Sequence, residues 1–240
     1  MVPVILKLLG LDTSTRACAV AVSDGPQVMA AMAVAGRDRP SDHLMAAIEQ
    51  CLRLAGIEAA ALDGIVVSAG PGSFTGIRVG VTAAKTLAYA LGKPVIPVSS
   101  LDVLAANVPC PRWPLWVIVD ARKEKLYAAQ YAQDAQDAAS ADGAGLPRRV
   151  GAEQLVTIDQ LLPQLQGDVL LLGDALVRYG EVLRAALGAR AHPLPPSLWV
   201  PCGAAVCALG LAAFAEYATV APHALVPRYL FSQDSDITGR

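Results

Sequence analysis

Apolar positions along the first hundred residues alternate between short unbroken runs and helical spacing. Val4–Leu11, Ala17–Ser23, Val28–Val34 and Ile65–Ala69 are runs of strand length, rich in β-branched residues or alanine and bounded by polar or glycine-containing turns. Between them Leu44, Ile48, Cys51, Leu52 and Ala55 recur on one face of a helix expected over Asp42–Gly56, with Ser41 or Asp42 as its N-cap and Gly56 as its stop. Ile77, Val81, Ala84, Ala88 and Leu91 predict a second helix over Gly76–Leu91, and Val95–Val98 predicts a strand behind Lys93-Pro94.

The pattern then begins again. Leu115–Asp120 ends in an aspartate before a polar turn and an apolar strand, Leu126–Tyr131, just as Leu8–Asp12 precedes Ala17–Val22. Asp12 lies 56 residues before Ser68 and Asp120 lies 52 before Leu172; each of those positions sits at the end of a strand that leads into a glycine and a helix. Two diverged βββαβα units follow, hence an α/β fold of two facing lobes, 1–99 and 100–240. The join falls near Pro97–Pro114, where Ser99-Ser100 can cap a short helix, Leu101–Asn107. Gln133–Pro147 is expected to be an exposed insertion in the second lobe and Pro193–Pro201 an irregular connection. Cys202–Tyr217 reads as a small-residue helix, and Phe231–Arg240 as a poorly ordered end.

Composition narrows the function classes. The chain has 240 residues, 54% of them hydrophobic and 17% charged, which suits a globular core. Mean hydropathy is +0.45, but the longest apolar stretch is about 14 residues, Cys202 to Ala215, too short for a bilayer. Val4–Leu11 reads as a strand rather than a signal peptide, so a cytoplasmic location is expected. A net charge of −2 offers no footprint for gripping a phosphate backbone unaided. Five cysteines without a Cys-x-x-Cys pair, and the isolated His43, His192 and His223, argue against disulfides and metal.

The segment Gly70-Pro71-Gly72-Ser73-Phe74-Thr75-Gly76-Ile77-Arg78-Val79-Gly80 joins a strand to a helix. Gly72 and Gly76 there admit positive φ or the close approach of a backbone or ligand, and free N–H groups at a helix start favour an anion. A plain βα turn is the alternative. Asp12-Thr13-Ser14-Thr15 offers a carboxylate and three hydroxyls, suited to a phosphate or its Mg²⁺, or else to an Asx-turn closing a hairpin. Asp120-Ala121-Arg122-Lys123-Glu124-Lys125 has no glycine, so its side chains obstruct a triphosphate, although Arg122 could attract one or pair with Asp120. Leu172-Gly173-Asp174-Ala175 carries a single glycine. Ser73 has no histidine nearby and no Gly-x-Ser-x-Gly setting, which disfavours a serine hydrolase.

Taken with Leu9–Thr15 and Val119–Arg122, the run Gly70–Gly80 resembles the bacterial TsaB (YeaZ) family, partners in making threonylcarbamoyladenosine on tRNA. The similarity extends through Pro227-Arg228-Tyr229-Leu230, so it covers nearly the whole chain. The glycine run is shared in part with the larger TsaD relatives, but the metal-binding His-x-x-x-His pair of TsaD is absent here. The resemblance implies the two-lobed fold of actin-like proteins, sugar kinases and Hsp70. It also implies a non-catalytic partner of TsaD, working with the ATPase TsaE and able to form a homodimer. Such a partner reaches tRNA only through the complex and has no cofactor of its own; ATP or ADP and Mg²⁺ belong to the wider assembly. TsaB proteins use their first two helices to dimerise and to meet TsaD, which would place Leu44, Ile48, Leu52 and the stripe Gly76, Gly80, Ala84, Ala88 at the interface. Packing of that stripe on its own sheet is the alternative. Asp12, Thr13, Ser14, Gly72, Ser73, Asp120 and Arg122 would be residual nucleotide or anion contacts. The rival functions are a stand-alone ATP-dependent phosphotransferase and a glycoprotease-like peptidase.

Overall fold

A computed structural model describes residues 5–35, 40–132, 146–216 and 218–230. The first sheet contains β1 (Lys7–Asp12), β2 (Ala17–Asp24), β3 (Gln27–Ala35), β4 (Gly64–Ser68) and β5 (Val95–Val98), in the order β3-β2-β1-β4-β5. The first three strands are antiparallel, whereas β4 and β5 continue the sheet in parallel. Strand alternation divides the apolar residues between two faces. Leu9, Leu11, Ile65 and Val67 face the core under α1 (Pro40–Ala55) and α2 (Phe74–Leu91), while Leu8 and Val66 point to the other side. With both faces covered, β1 and β4 read as unbroken apolar runs.

The second sheet repeats the plan. Its strands are β6 (Leu115–Arg122), β7 (Lys125–Ala132), β8 (Arg148–Thr157), β9 (Val169–Leu172) and β10 (Ala191–Pro193), in the order β10-β9-β6-β7-β8. Again the first three pair antiparallel and the last two parallel. The helices α4 (Ile158–Leu161) and α5 (Leu176–Leu187) take the places of α1 and α2, and α3 (Ser100–Ala105) joins the two units. The two sheets thus share one plan, a duplicated, two-lobed α/β arrangement.

Several expected boundaries change. Helix α1 starts at Pro40, so Ser41 and Asp42 lie inside its first turn rather than capping it. Its end is as expected: Gly56 is left-handed at φ 65°, and the Ile57 amide closes back on the Leu52 carbonyl. The repeat implies a third strand in the second unit, which is β8, although the pattern gives no bounds for it or for β10. The larger correction concerns the division into 1–99 and 100–240. Helix α6 (Gly203–Ala215) lies on the first sheet, where Ala205 and Val206 pack with Leu8, Val66 and Ile96. Small residues permit that approach: a Cβ on Gly210 would stand 2.2 Å from a Val66 methyl, and one on Gly203 would stand 2.6 Å from the Val20 carbonyl carbon. The chain then stays at the first lobe, with Val220 bridging to Val95 and Leu225 inside the first core. The expected insertion and tail fall largely or wholly on 133–145 and 231–240, outside the described residues. Among the described residues no helix is long and apolar enough to cross a membrane.

Candidate functional site

Asp12 ends β1, and its turn is closed on itself. Oδ1 accepts the Ser14 amide at 2.7 Å and the Ser14 hydroxyl at 2.8 Å; Oδ2 accepts the hydroxyl of Ser68 at the end of β4. Thr13 donates to the Gly76 carbonyl at 2.7 Å, and Thr15 accepts the Ala17 amide. Asp12, Thr13 and Ser14 are at most 2% exposed. Burial pushes the Asp12 carboxyl up from its ordinary value, against the pull of the Ser68 and Ser14 hydrogen bonds. This is the Asx-turn arrangement, with its polar atoms turned inward.

The glycine loop fits around that turn. The left-handed residue is Gly70, at φ 117°. Gly72 does not have positive φ; its role is close approach, since a Cβ there would stand 2.5 Å from the Ser14 carbonyl oxygen. At Gly76 and Gly80 a Cβ would meet the Thr13 carbonyl oxygen at 2.0 Å and its hydroxyl at 2.4 Å. The Ser73 amide donates to the Ser14 carbonyl at 2.7 Å, and the Ser73 hydroxyl caps α2 by accepting the Gly76 amide. The Ser73 and Gly76 amides at this helix start are thus engaged by protein oxygens.

In the second lobe the equivalent turn is exposed. Asp120 accepts the Arg122 backbone amide at 2.9 Å, and its own amide donates to Asp174 at 2.9 Å. Arg122, Lys123 and Glu124 all take left-handed backbone angles, at φ 63°, 46° and 62°, although none is glycine. Gly173 is left-handed at φ 124°, and a Cβ there would also meet the Ile118 carbonyl oxygen at 2.1 Å. The first turn thus directs its polar atoms inward, and the second presents Asp120 beside Asp174. Among the described residues no group of three His, Cys, Asp or Glu side chains could hold a metal. The Cys18 and Cys207 thiols are pushed up by burial to about 11 and about 12, and are inert.

The small-residue stripe is not an interface. Gly76, Gly80, Ala84 and Ala88 are all buried against their own lobe, and Leu44 and Ile48 belong to the same core, with Leu52 packed against it. A helix facing a flat sheet needs small residues where the backbones come closest, which is why the stripe points inward. The solvent face of these helices was missed. Between α1 and α2 runs a groove of about 500 Å³ lined by Leu44, Met45, Phe74, Arg78, Val79 and Thr82, among others. Met45 is 57% exposed and Phe74 52%. The four-residue spacing of Phe74, Arg78 and Thr82 could have revealed it.

Residues 37–172 match the family model described as "TsaD: tRNA N6-adenosine threonylcarbamoyltransferase". The tRNA threonylcarbamoyladenosine biosynthesis protein TsaB of Bacillus subtilis is 30% identical over 228 residues, covering 94% of each chain. That of Haemophilus influenzae is 30% identical over 199 residues, covering 81% of this chain and 83% of its own. The solved structure of YeaZ from Pseudomonas aeruginosa is similar with a TM-score of 0.78 at 26% identity, covering 94% of this chain and 100% of that one. The likeness in sequence and structure thus runs through both sheets and both aspartate turns, and the chain belongs to the TsaB family of tRNA threonylcarbamoyladenosine biosynthesis proteins.

Proposed function

We propose that this chain is a non-catalytic partner of a TsaD-type threonylcarbamoyltransferase and helps that enzyme to modify the adenosine beside the tRNA anticodon. The observation that carries this reading is the self-satisfied Asp12 turn. Both carboxylate oxygens, the neighbouring hydroxyls and the Ser73 and Gly76 amides are already engaged within the protein. A kinase of this fold needs those groups for nucleotide phosphates. ATP, Mg²⁺, a TsaE-type ATPase and the tRNA therefore belong to the assembly rather than to this chain, which acts in the cytoplasm. The docking face is the groove between α1 and α2, whose exposed Met45, Phe74 and half-buried Val79 form an apolar surface. The same face would serve a homodimer of the free chain.

Reconstitution with TsaD and TsaE from the same organism tests the proposal. Met45→Glu should leave the melting temperature unchanged but abolish co-purification with TsaD, and with it threonylcarbamoyladenosine formation on tRNA. The chain alone should turn over no ATP. Full modification by TsaD and TsaE without this chain, or Asp12-dependent ATP hydrolysis by the chain alone, would refute the reading.

A further inference from the structure

The Pro227-Arg228-Tyr229-Leu230 segment touches both lobes, and none of the functions above uses it. On the first-lobe side, the Arg228 amide donates to the Ala69 carbonyl at 2.7 Å. A Cβ on Gly70 would stand 2.5 Å from the Arg228 carbonyl oxygen, so the segment lies directly on the start of the glycine loop. One residue on, the Tyr229 ring packs against Phe74 with centroids 5.3 Å apart, and its hydroxyl accepts from the Arg78 guanidinium at 2.9 Å. Just upstream, Lys85 of α2 donates to the Leu225 carbonyl at 3.1 Å.

On the second-lobe side, the Arg228 guanidinium reaches Glu153 of β8 at 2.6 Å, and Leu230 packs on the core beneath the second sheet. The Glu153 side chain is fully buried. Its other oxygen takes Arg149 and the hydroxyl of Ser99, the residue that caps α3 between the lobes. Arg149 continues to Asp102 of α3 at 3.3 Å, and Asp102 accepts the Tyr131 hydroxyl of β7 at 2.7 Å. A buried carboxylate left without its cations is costly, so this network holds its members in one arrangement.

We propose that residues 225–230 form a clasp, with Arg228 and Glu153 as its pin, that fixes the second lobe against the glycine loop and the first turn of α2. Arg228 binds the loop through its backbone and β8 through its side chain. Releasing the pin should therefore loosen two segments distant in sequence, the loop near Ala69–Phe74 and the strand near Arg149–Leu155, together. The clasp is a property of the chain alone and does not depend on any docking partner.

Hydrogen exchange on the full chain reads this directly. In Arg228→Ala, amides of both segments should exchange faster by about tenfold, while those of α5, remote from the clasp, keep their rates. Arg228→Lys keeps a cation within reach of Glu153 and should restore most of the protection; it also serves if the alanine variant does not fold. Arg184→Ala, which removes an exposed ion pair with Glu181, should change neither segment. Unchanged exchange at the loop and β8 in Arg228→Ala would overturn the clasp. So would a uniform rise that includes α5, because that describes global destabilisation.

Discussion

Asp12 and Asp120 stand at matching places in two copies of one unit, yet their surroundings are opposite. In the first copy β4 ends in Ser68, whose hydroxyl reaches the Asp12 carboxylate, and the glycine loop brings α2 down onto the turn. In the second copy the matching residue is Leu172, which has no hydroxyl, and the group that arrives is the carboxylate of Asp174. The protein around Asp174 and then the charge of Asp120 push its carboxyl up. One aspartate has become an internal hydrogen-bond acceptor and the other a surface turn residue. The helices behind them follow suit. Gly76 and Gly80 of α2 press on Thr13, while Gly180 of α5 has open space where a Cβ would go. The same turn can therefore be satisfied in two ways, by inward hydrogen bonds to its own lobe or by an exposed backbone held between two carboxylates.

The helices offer the largest effect. Gly76→Ala would drive a Cβ into the Thr13 carbonyl, and neither the helix start nor the buried turn has room to shift. A loss of about 2–3 kcal/mol is expected. Gly180→Ala should have the opposite sign, a gain of about 0.5–1 kcal/mol, because it removes backbone freedom from a helix interior at no steric cost. Urea unfolding of both variants decides it. Equal effects of one sign would mean that the two helices meet their lobes alike.

Asp12 comes next. Asp12→Ala leaves the Ser14 amide and the Ser14 and Ser68 hydroxyls buried without their acceptor, which costs about 1–3 kcal/mol. The exposed Asp120→Ala should stay within about 0.5 kcal/mol. The pH dependence has a definite sign. A carboxyl raised in the folded state contributes stability that is fully present below its unfolded value, near 3.8, and is lost as pH climbs through the higher folded value. The near-isosteric Asp12→Asn does not titrate, so its stability relative to the native chain should rise with pH across that window. A relative fall would mean that the carboxylate is held ionised, as in a working ion site.

Much of this contrast was legible in the residues, and the missing part has physical causes. Both aspartate turns, the repeat and most central strands could be read because buried strands are unbroken apolar runs and the glycines stand at their ends. The bounds of β8 escaped because Arg148–Thr157 lies at a sheet edge and mixes Arg149, Glu153 and Gln154 with its apolar residues. The return of α6 to the first sheet escaped because the helix is apolar all round, with no charged side chain from Gly203 to Ala215 to mark a solvent face. The stripe on α2 is expected at a partner interface but packs on its own sheet, because spacing alone does not distinguish a partner from the helix's own sheet. The inward polarity of Asp12 depended on Ser68, 56 residues away, whose hydroxyl gains meaning only when β1 and β4 pair.

The smallest expected effect isolates the second turn. Arg122 is exposed, its backbone amide is held by Asp120, and its φ of 63° places a side chain where glycine is the relaxed choice. Arg122→Gly keeps the amide and removes the strain. It also frees the unfolded chain somewhat, so the net gain should be small, under about 0.5 kcal/mol. If the turn is only a surface connection, the variant should melt slightly higher and support threonylcarbamoyladenosine formation at the native rate. Lost modification in a variant that is equally or more stable would show that the Arg122 guanidinium acts on a ligand or partner, and that the two aspartate turns differ in use as well as in burial.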